Sequence, residues 1–363
     1  MHKEVFSVEN PFKYGVLVED AFFTDRKAEL EKIKRHLAGP NHLIMISPRR
    51  YGKSSLIDKA LQELKRPAVV LNLQMAVSEV KLAAMIHKAI YRLHPMQKIK
   101  DALQRLRIVP TLSFNPADGT FEATFAPNVD GQTVLEDAVD LLEMLSDPEN
   151  RTIVVLDEFQ EVLGLRNGID KRLRAQMQLQ KNVNYVFLGS QESMMTAIFE
   201  QVKSPFYHFG LLMHLKKIPR DDFELFLTNR LQAAAGEKTG DLVKAVLDKT
   251  GCHPYYTQQL ASIVWERLVW MQEKDNVFED AVAELVEEHD LDYERLWLSF
   301  NVTQRRILQG LAQNRKADEM TELATSTRYD SLAKLAKNGY VIREQTFEIE
   351  DPFFKDWIAG RAG

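Results

Sequence analysis

Two short segments of this 363-residue chain carry residue types whose spacing suits phosphate chemistry. The first is Ser47-Pro48-Arg49-Arg50-Tyr51-Gly52-Lys53-Ser54-Ser55, which follows the apolar run 43–46 and precedes a helical pattern. A loop that leaves a strand and opens a helix turns successive backbone N–H groups and the positive helix end toward an anion. In such a loop Gly52 lets the backbone approach the phosphates, Lys53 reaches β- and γ-phosphate oxygens, and the Ser54 hydroxyl is a ligand for Mg²⁺. The pattern G-x-x-x-x-G-K-[ST] departs at its first position, where the small Ser47 stands. Gly-Lys-Ser alone arises by chance in about one chain in five of this length. The bland reading is therefore a surface turn, and only the strand before it and the amphipathic helix after it count against that.

The second segment is Ile153-Val154-Val155-Leu156-Asp157-Glu158. Four apolar residues ending in two carboxylates describe a buried strand that delivers acid groups at its C-terminal edge, where open α/β sheets bind ligands. Asp157 suits Mg²⁺ held through its water shell, and Glu158 suits the orientation and polarisation of an attacking water. The competing reading is an acidic helix cap. Taken with Lys53 on an earlier strand, the pair points instead to a nucleotide site. A third run, 185–188, ends in Gly189-Ser190-Gln191. Ser190 or Gln191 could sense the γ-phosphate or the attacking water, and the bland alternative is a serine cap in which Ser190 and Ser193 fit only loosely.

The elements that must position these groups follow from periodicity. The runs 43–46, 68–73, 153–156 and 185–188 are unbroken and apolar, as strands covered on both faces are. Helical patterns at 54–64, 79–93 and 134–145 lie between them, so βαβ units and a doubly wound α/β core are expected. One stretch interrupts the alternation. Around Ala117-Asp118-Gly119, within 108–128, the sequence reads as an inserted hairpin. Residues 219–289 are nearly all helical pattern, with helices expected at 221–235, 242–249, 255–271 and 278–288. The composition fits a folded, soluble chain: 45% hydrophobic, 27% charged, 47 basic against 52 acidic residues, net charge -5. That balance does not suggest a chain coated with nucleic acid. With a single cysteine, Cys252, with no apolar leader at the N-terminus and with no run of about 18 apolar residues, a cytoplasmic protein without membrane spans is expected.

At this point the chain resembles the archaeal-type ATPases on the STAND and AAA+ side of the P-loop NTPases. The matching pieces are Asn10-Pro11-Phe12, Phe23-Thr24-Asp25-Arg26 with Glu29-Leu30, the 47–54 loop, Leu156-Asp157-Glu158, Gly189-Ser190 and Gly251-Cys252-His253-Pro254. The resemblance implies a P-loop parallel-sheet core over 1–218, a helical lid over 219–289 and a winged helix-turn-helix over 290–363. It implies ATP and Mg²⁺ as cofactors, with ATP between core and lid. The segment near Arg26 and the turn at His253 and Pro254 are similar to the family's adenine-side contacts. Thr24-Asp25-Arg26 stands where Val-Gly-Arg is usual, which bears on those contacts. For the His253 imidazole the alternative is a packed, hydrogen-bonded side chain at a helix start, and Pro254 suits a first helical turn. Arg49 and Arg50 are open among solvation, pairing with acids and an arginine finger into a neighbouring copy's nucleotide.

In the C-terminal module, Thr303 is expected to cap a helix carrying Ile307, Leu308 and Leu311. Met320, Leu323 and Ala324 suit a second helix, and 326–335 suit a recognition helix followed by a wing at 340–343 and 347–349. Such a module can enter a DNA major groove. Yet residues 291–363 hold 11 basic and 11 acidic residues, and only Arg328, Lys334 and Lys337 would supply a basic face. Protein docking is the favoured expectation, with DNA contact and oligomerisation kept open. Tyr329, Leu332, Leu335, Phe353, Phe354 and Trp357 are read mainly as the module's own core. The function expected is slow, Mg²⁺-dependent ATP hydrolysis driving a conformational switch. The rivals are an ATP-binding scaffold with little turnover and an ATP-controlled DNA-binding regulator. A small-molecule kinase fits less well, because adjacent Asp157 and Glu158 suit water activation.

Overall fold

The structure, a computed structural model, describes residues 9–16, 26–117, 119–166, 168–343 and 345–361. The chain divides into two compact units. One comprises residues 27–48 and 56–215, and the other the residues up to 26, 49–55 and those from 216 onward.

In the first unit the elements run α1 (Lys27–Ala38), β1 (Leu43–Ile46), α2 (Lys53–Leu64), β2 (Ala68–Asn72), α3 (Glu79–Leu93), α4 (Met96–Leu103), β3 (Thr111–Asn115), β4 (Thr120–Thr124), α5 (Gly131–Leu145), β5 (Thr152–Asp157), α6 (Ile169–Met177), β6 (Val183–Gly189), α7 (Glu192–Phe199) and β7 (Leu211–His214). Five parallel strands form one sheet in the order β2-β5-β6-β1-β7. β1 and β6 are buried at every position, and β5 is buried up to Asp157, as uninterrupted apolar runs require. At the edge, β2 leaves Val70 60% exposed. α3 and α5 turn Ile86, Ile90, Leu135 and Leu142 into the core on the sheet. Their starts are fixed locally: the Ser78 hydroxyl accepts from Lys81 N at 3.1 Å, and the Asp130 carboxylate from Thr133 N at 3.0 Å.

The expected insertion is an antiparallel hairpin, β3 with β4, in which Asn115 faces Thr120. Asp118, between the two strands in sequence, lies outside the described residues. β4 packs on α3, and the Phe114 and Phe121 rings lie 5.1 Å apart.

The second unit contains α8 (Arg220–Ala235), α9 (Thr239–Thr250), α10 (Pro254–Val269), α11 (Val277–Glu288), α12 (Asp290–Ser299), α13 (Val302–Ala312), α14 (Thr325–Lys337), β8 (Val341–Arg343), β9 (Phe347–Ile349) and α15 (Pro352–Arg361). Phe223, Leu260, Leu308, Leu332 and Phe353 belong to one continuous core, so α8–α11 and the winged-helix elements α13, α14 and β8–β9 are packed together. Phe12 joins this core, and Asn10 Nδ2 donates to Ser262 Oγ and Glu266 Oε1, both at 2.8 Å.

Three expectations in the C-terminal module are corrected. Asn301, not Thr303, caps α13, in a capping box with Gln304. Met320, Leu323 and Ala324 form no helix; only a single turn of 3₁₀ helix stands before them, at Ala317–Glu319. The Met320 carbonyl closes a single turn with Leu323 N at 3.3 Å and also accepts from Arg328 Nη1 at 2.8 Å. Arg328 is accordingly 6% exposed, where the sequence suggested a surface phosphate contact. Lys334 and Lys337 do face solvent. Leu332, Leu335, Phe353, Phe354 and Trp357 are buried core, as expected, whereas Tyr329 is 37% exposed.

The core of the sheet unit makes a pH prediction. Burial holds the imidazoles of His42 and His87 down to about 4, with Arg174 adding to the effect at His42 and Asp137 partly opposing it at His87. Both rings are then neutral in the folded chain at pH 7, while an unfolded histidine takes up a proton near pH 6.5. Stability from these groups is complete above about pH 6.5 and falls as pH drops toward 4, by up to about 1.4 kcal/mol per pH unit for each. Denaturant titrations at pH 7 and 5 should show this loss. His87→Leu should flatten the dependence, and an unchanged slope in that variant contradicts the assignment.

Candidate functional site

The C-terminal ends of parallel strands share one edge of the sheet, and three of the sequence-nominated groups leave there. Ile46 pairs with Gly189, so the ends of β1 and β6 are level, and Leu156 pairs with Phe187 on the other side of β6. Ser47 is fully buried and its N–H donates to Gly189 O at 3.3 Å. Asp157, half-buried, ends β5, and its Oδ1 accepts from Glu158 N at 3.0 Å.

Glu158 is in the left-handed region, φ 53° and ψ 48°, a conformation that costs a non-glycine residue about 1–2 kcal/mol. This backbone turn brings the carboxylate against the end of β6. Glu158 Oε2 accepts from Ser190 Oγ at 2.7 Å, from Ser190 N at 3.4 Å and from Gln160 Nε2 at 2.5 Å. Of the two residues nominated as sensors, the fold therefore brings Ser190 to Glu158. Gln191 sits half-exposed at the start of α7, and its side chain makes no capping bond there. The loose Ser190/Ser193 cap is not formed. Gln160 escaped the sequence reading, which followed the strand only to its carboxylates. It is fully buried, and its Oε1 has no hydrogen-bond partner among the described residues. Gly189 makes room for it: a Cβ at 189 would lie 2.7 Å from Gln160 Oε1 and 2.3 Å from Met195.

In the other unit, residues 49–52 form the loop and residues 53–55 the first turn of α2. Gly52 has φ 85° with open space where a Cβ would stand, so the backbone angle rather than crowding calls for glycine. Lys53 is the first residue of α2 and 7% exposed; Ser54 is exposed and Ser55 half-buried. Pro48, which precedes the loop, is half-buried, Arg49 is exposed, and Tyr51 is buried. Arg26 is buried and its Nη2 donates to Tyr51 O at 3.1 Å and to Lys216 O at 2.9 Å, gripping the loop backbone. Thr24 and Asp25 lie outside the described residues.

Arg50, at φ 65°, places its guanidinium 4.5 Å from the Tyr255 ring centre and donates to Tyr256 Oη at 3.2 Å. Tyr256 Oη in turn donates to Glu350 Oε2 at 2.8 Å. Burial, reinforced by Asp351 and Glu350, pushes the Tyr256 hydroxyl well above its usual range, so it stays a donor. His253 caps α10, and Pro254 takes the first helical position. His253 Nδ1 accepts from Tyr255 N at 3.2 Å and Tyr256 N at 3.4 Å, which assigns the ring proton to Nε2. That nitrogen lies 2.9 Å from Glu350 Oε1, at ion-pair distance but off the line of a hydrogen bond. The Tyr51 ring meets His253 edge-on at 4.8 Å. Glu350 lies in the turn after the wing, one of three acids within 348–351, and nothing in the sequence sets it apart from its neighbours.

A five-stranded parallel sheet with this order, a Gly-Lys-Ser loop after β1 and an Asp-Glu pair after β5 define a P-loop ATPase fold. The chain has the fold of the archaeal-type P-loop ATPases that its motifs resemble. It is similar to the Walker-type ATPase of Pyrococcus abyssi, at 17% identity and a TM-score of 0.66 over 96% of this chain and 99% of that one. It is similar also to the ORC2 protein of Aeropyrum pernix in its ADPNP–ADP complexes, at 15% identity and a TM-score of 0.56 over 97% and 100%. The ORC1 protein of the same organism, in complex with DNA, aligns at 13% identity and a TM-score of 0.53 over 98% of each chain. No family model and no curated protein matches the sequence.

The network from Arg50 to Glu350 can be tested as a unit. Tyr256→Phe and Glu350→Ala each remove a charge-assisted hydrogen bond, worth about 1.5–3 kcal/mol. Because they remove the same bond, the double variant should be less destabilised than the sum by at least about 0.5 kcal/mol in thermal or denaturant melts. Simple additivity contradicts the contact.

Proposed function

We propose that the protein is a Mg²⁺-dependent ATPase whose turnover drives a conformational switch. The observation that carries this reading is the sheet edge. β1 runs through Ser47 into a loop that ends at Gly52 and starts a helix at Lys53, while β5 ends in Asp157 and Glu158 two strands away in the same sheet. In this reading the N–H groups of residues 47–55 and the α2 N-terminus receive the β- and γ-phosphates, with Lys53 supplying the positive charge. Arg26, His253 and Pro254 line the adenine side through the backbone they hold in place. Glu158 takes the proton of the attacking water, and Ser190 fixes Glu158 and the water near it.

For Mg²⁺, the donors on offer are the Ser54 hydroxyl and the Asp157 carboxylate, both hard oxygens. Among the described residues no group of three or more His, Cys, Asp or Glu side chains converges as a metal cage. That suits an ion that keeps several waters and takes phosphate oxygens as its other ligands. When bound, the ion would neutralise charge on the phosphate oxygens.

We read the chain as three functional parts, 1–218 for nucleotide chemistry, 219–289 as lid and 290–363 as a docking module. A protein partner is favoured over DNA for the module, because Arg328 is spent on the Met320 carbonyl and the module's charge is balanced. Among the described residues no helix is long and apolar enough to cross a membrane.

Two variants test the site. Lys53→Ala should abolish measurable ATP affinity in calorimetry while leaving the melting temperature close to the parent's, and parent-like affinity would refute the loop assignment. Glu158→Gln should bind ATP nearly as the parent does and cleave it about 10²–10⁴-fold more slowly. Equal turnover would refute the role of Glu158 as base and favour a scaffold.

A further inference from the structure

We propose that Gln160 is a positioning residue for the Glu158 base, holding one carboxylate oxygen so that the other is left for the proton of the attacking water. This rests on the hydrolytic reading above. The geometry is asymmetric. Three donors, Gln160 Nε2, Ser190 Oγ and Ser190 N, all fall on Glu158 Oε2. Among the described residues none falls on Oε1. A carboxylate fixed through one oxygen cannot swing, and the lone pairs of its second oxygen keep one direction.

A structural role for Gln160 explains less. Its amide is fully buried yet only half used, since Oε1 has no partner among the described residues. An apolar residue of the same length would avoid that cost. The amide is closely packed: a Cβ at Gly189 would strike Met195 at 2.3 Å and Gln160 Oε1 at 2.7 Å. Glu158 also accepts a strained backbone that turns its carboxylate toward these donors. Ser190 stands at the end of β6 and offers its backbone N–H as well as its hydroxyl, whereas Gln160 reaches Glu158 through its side-chain amide alone.

The step it serves balances. A water O–H bond breaks and its proton moves to Glu158 Oε1. The water oxygen bonds to the γ-phosphorus of ATP as the bond from that phosphorus to the bridging oxygen breaks. The electron pair of that bond leaves with ADP, and Glu158 later returns the proton to solvent.

The test is a kinetic double-mutant cycle in the full chain, by single-turnover cleavage of ATP with Mg²⁺. Gln160→Leu, with Gln160→Met as a second variant of closer length, should keep the parent's ATP affinity and slow cleavage about tenfold or more. In the Glu158→Gln background the same change should have almost no further effect, because no base remains to be positioned. A merely structural role slows both backgrounds by the same factor, and that result overturns the proposal. So does parent-like cleavage by a folded Gln160→Met. A parent chain that binds ATP and never cleaves it overturns the hydrolytic reading itself, and this proposal with it. A parent that cleaves while Gln160 variants cleave equally well removes only the role of Gln160.

Discussion

The constraint on which the sheet unit depends is the parallel sheet. Parallel strands need long crossovers, those crossovers cover both faces, and the strands in the middle must be apolar throughout. The chain can then place polar chemistry only where strands stop. β1 stops at Ile46, β6 at Gly189 and β5 at Asp157, and in a parallel sheet these ends fall on one edge. Ser47, Ser190 and the Asp157-Glu158 pair come to that edge from three distant parts of the sequence. The left-handed turn at Glu158 and the absent side chain at Gly189 are local adjustments that this placement requires.

The loop that opens α2 has a different anchor. Its backbone is gripped by Arg26, and its Arg50 and Tyr51 side chains lie against Tyr255, Tyr256 and His253 at the start of α10. Glu350, in the turn between the wing and α15, meets the same two residues, Tyr256 and His253. The path runs from a guanidinium, through a phenol that both accepts and donates, to the Glu350 side chain and the His253 ring. His253 illustrates how one side chain serves the fold. Its Nδ1 satisfies two otherwise unpartnered N–H groups of the helix, and the proton this leaves on Nε2 faces Glu350.

Much of this was legible in the sequence, and what was not has physical reasons. Asp157 and Ser190 could be named because each lies where an apolar run gives out, which marks a strand end, and Lys53 because Gly-Lys-Ser stands between a strand and a helical pattern. Gln160 could not, since after the strand the chain enters a short 3₁₀ turn whose inward positions follow neither period 2 nor 3.6. Arg328 was misread because a long side chain on a helix can lie back over the preceding turn as readily as reach out. The helix expected at Met320–Ala324 does not form; the Met320 carbonyl closes one turn with Leu323 N and also accepts from Arg328. Short helices are expected from about residue 291 onward, and those at 290–299 and 352–361 form against the shared core through Tyr293, Phe354 and Trp357.

The central claim is that the chain cleaves ATP with the groups gathered at the sheet edge. The most direct measurement is a single-turnover assay with the purified protein in excess over γ-labelled ATP, run with Mg²⁺ and again with EDTA. First-order release of labelled phosphate in Mg²⁺, suppressed by EDTA, is the predicted result. ATP that binds but is recovered intact in both conditions would contradict the account.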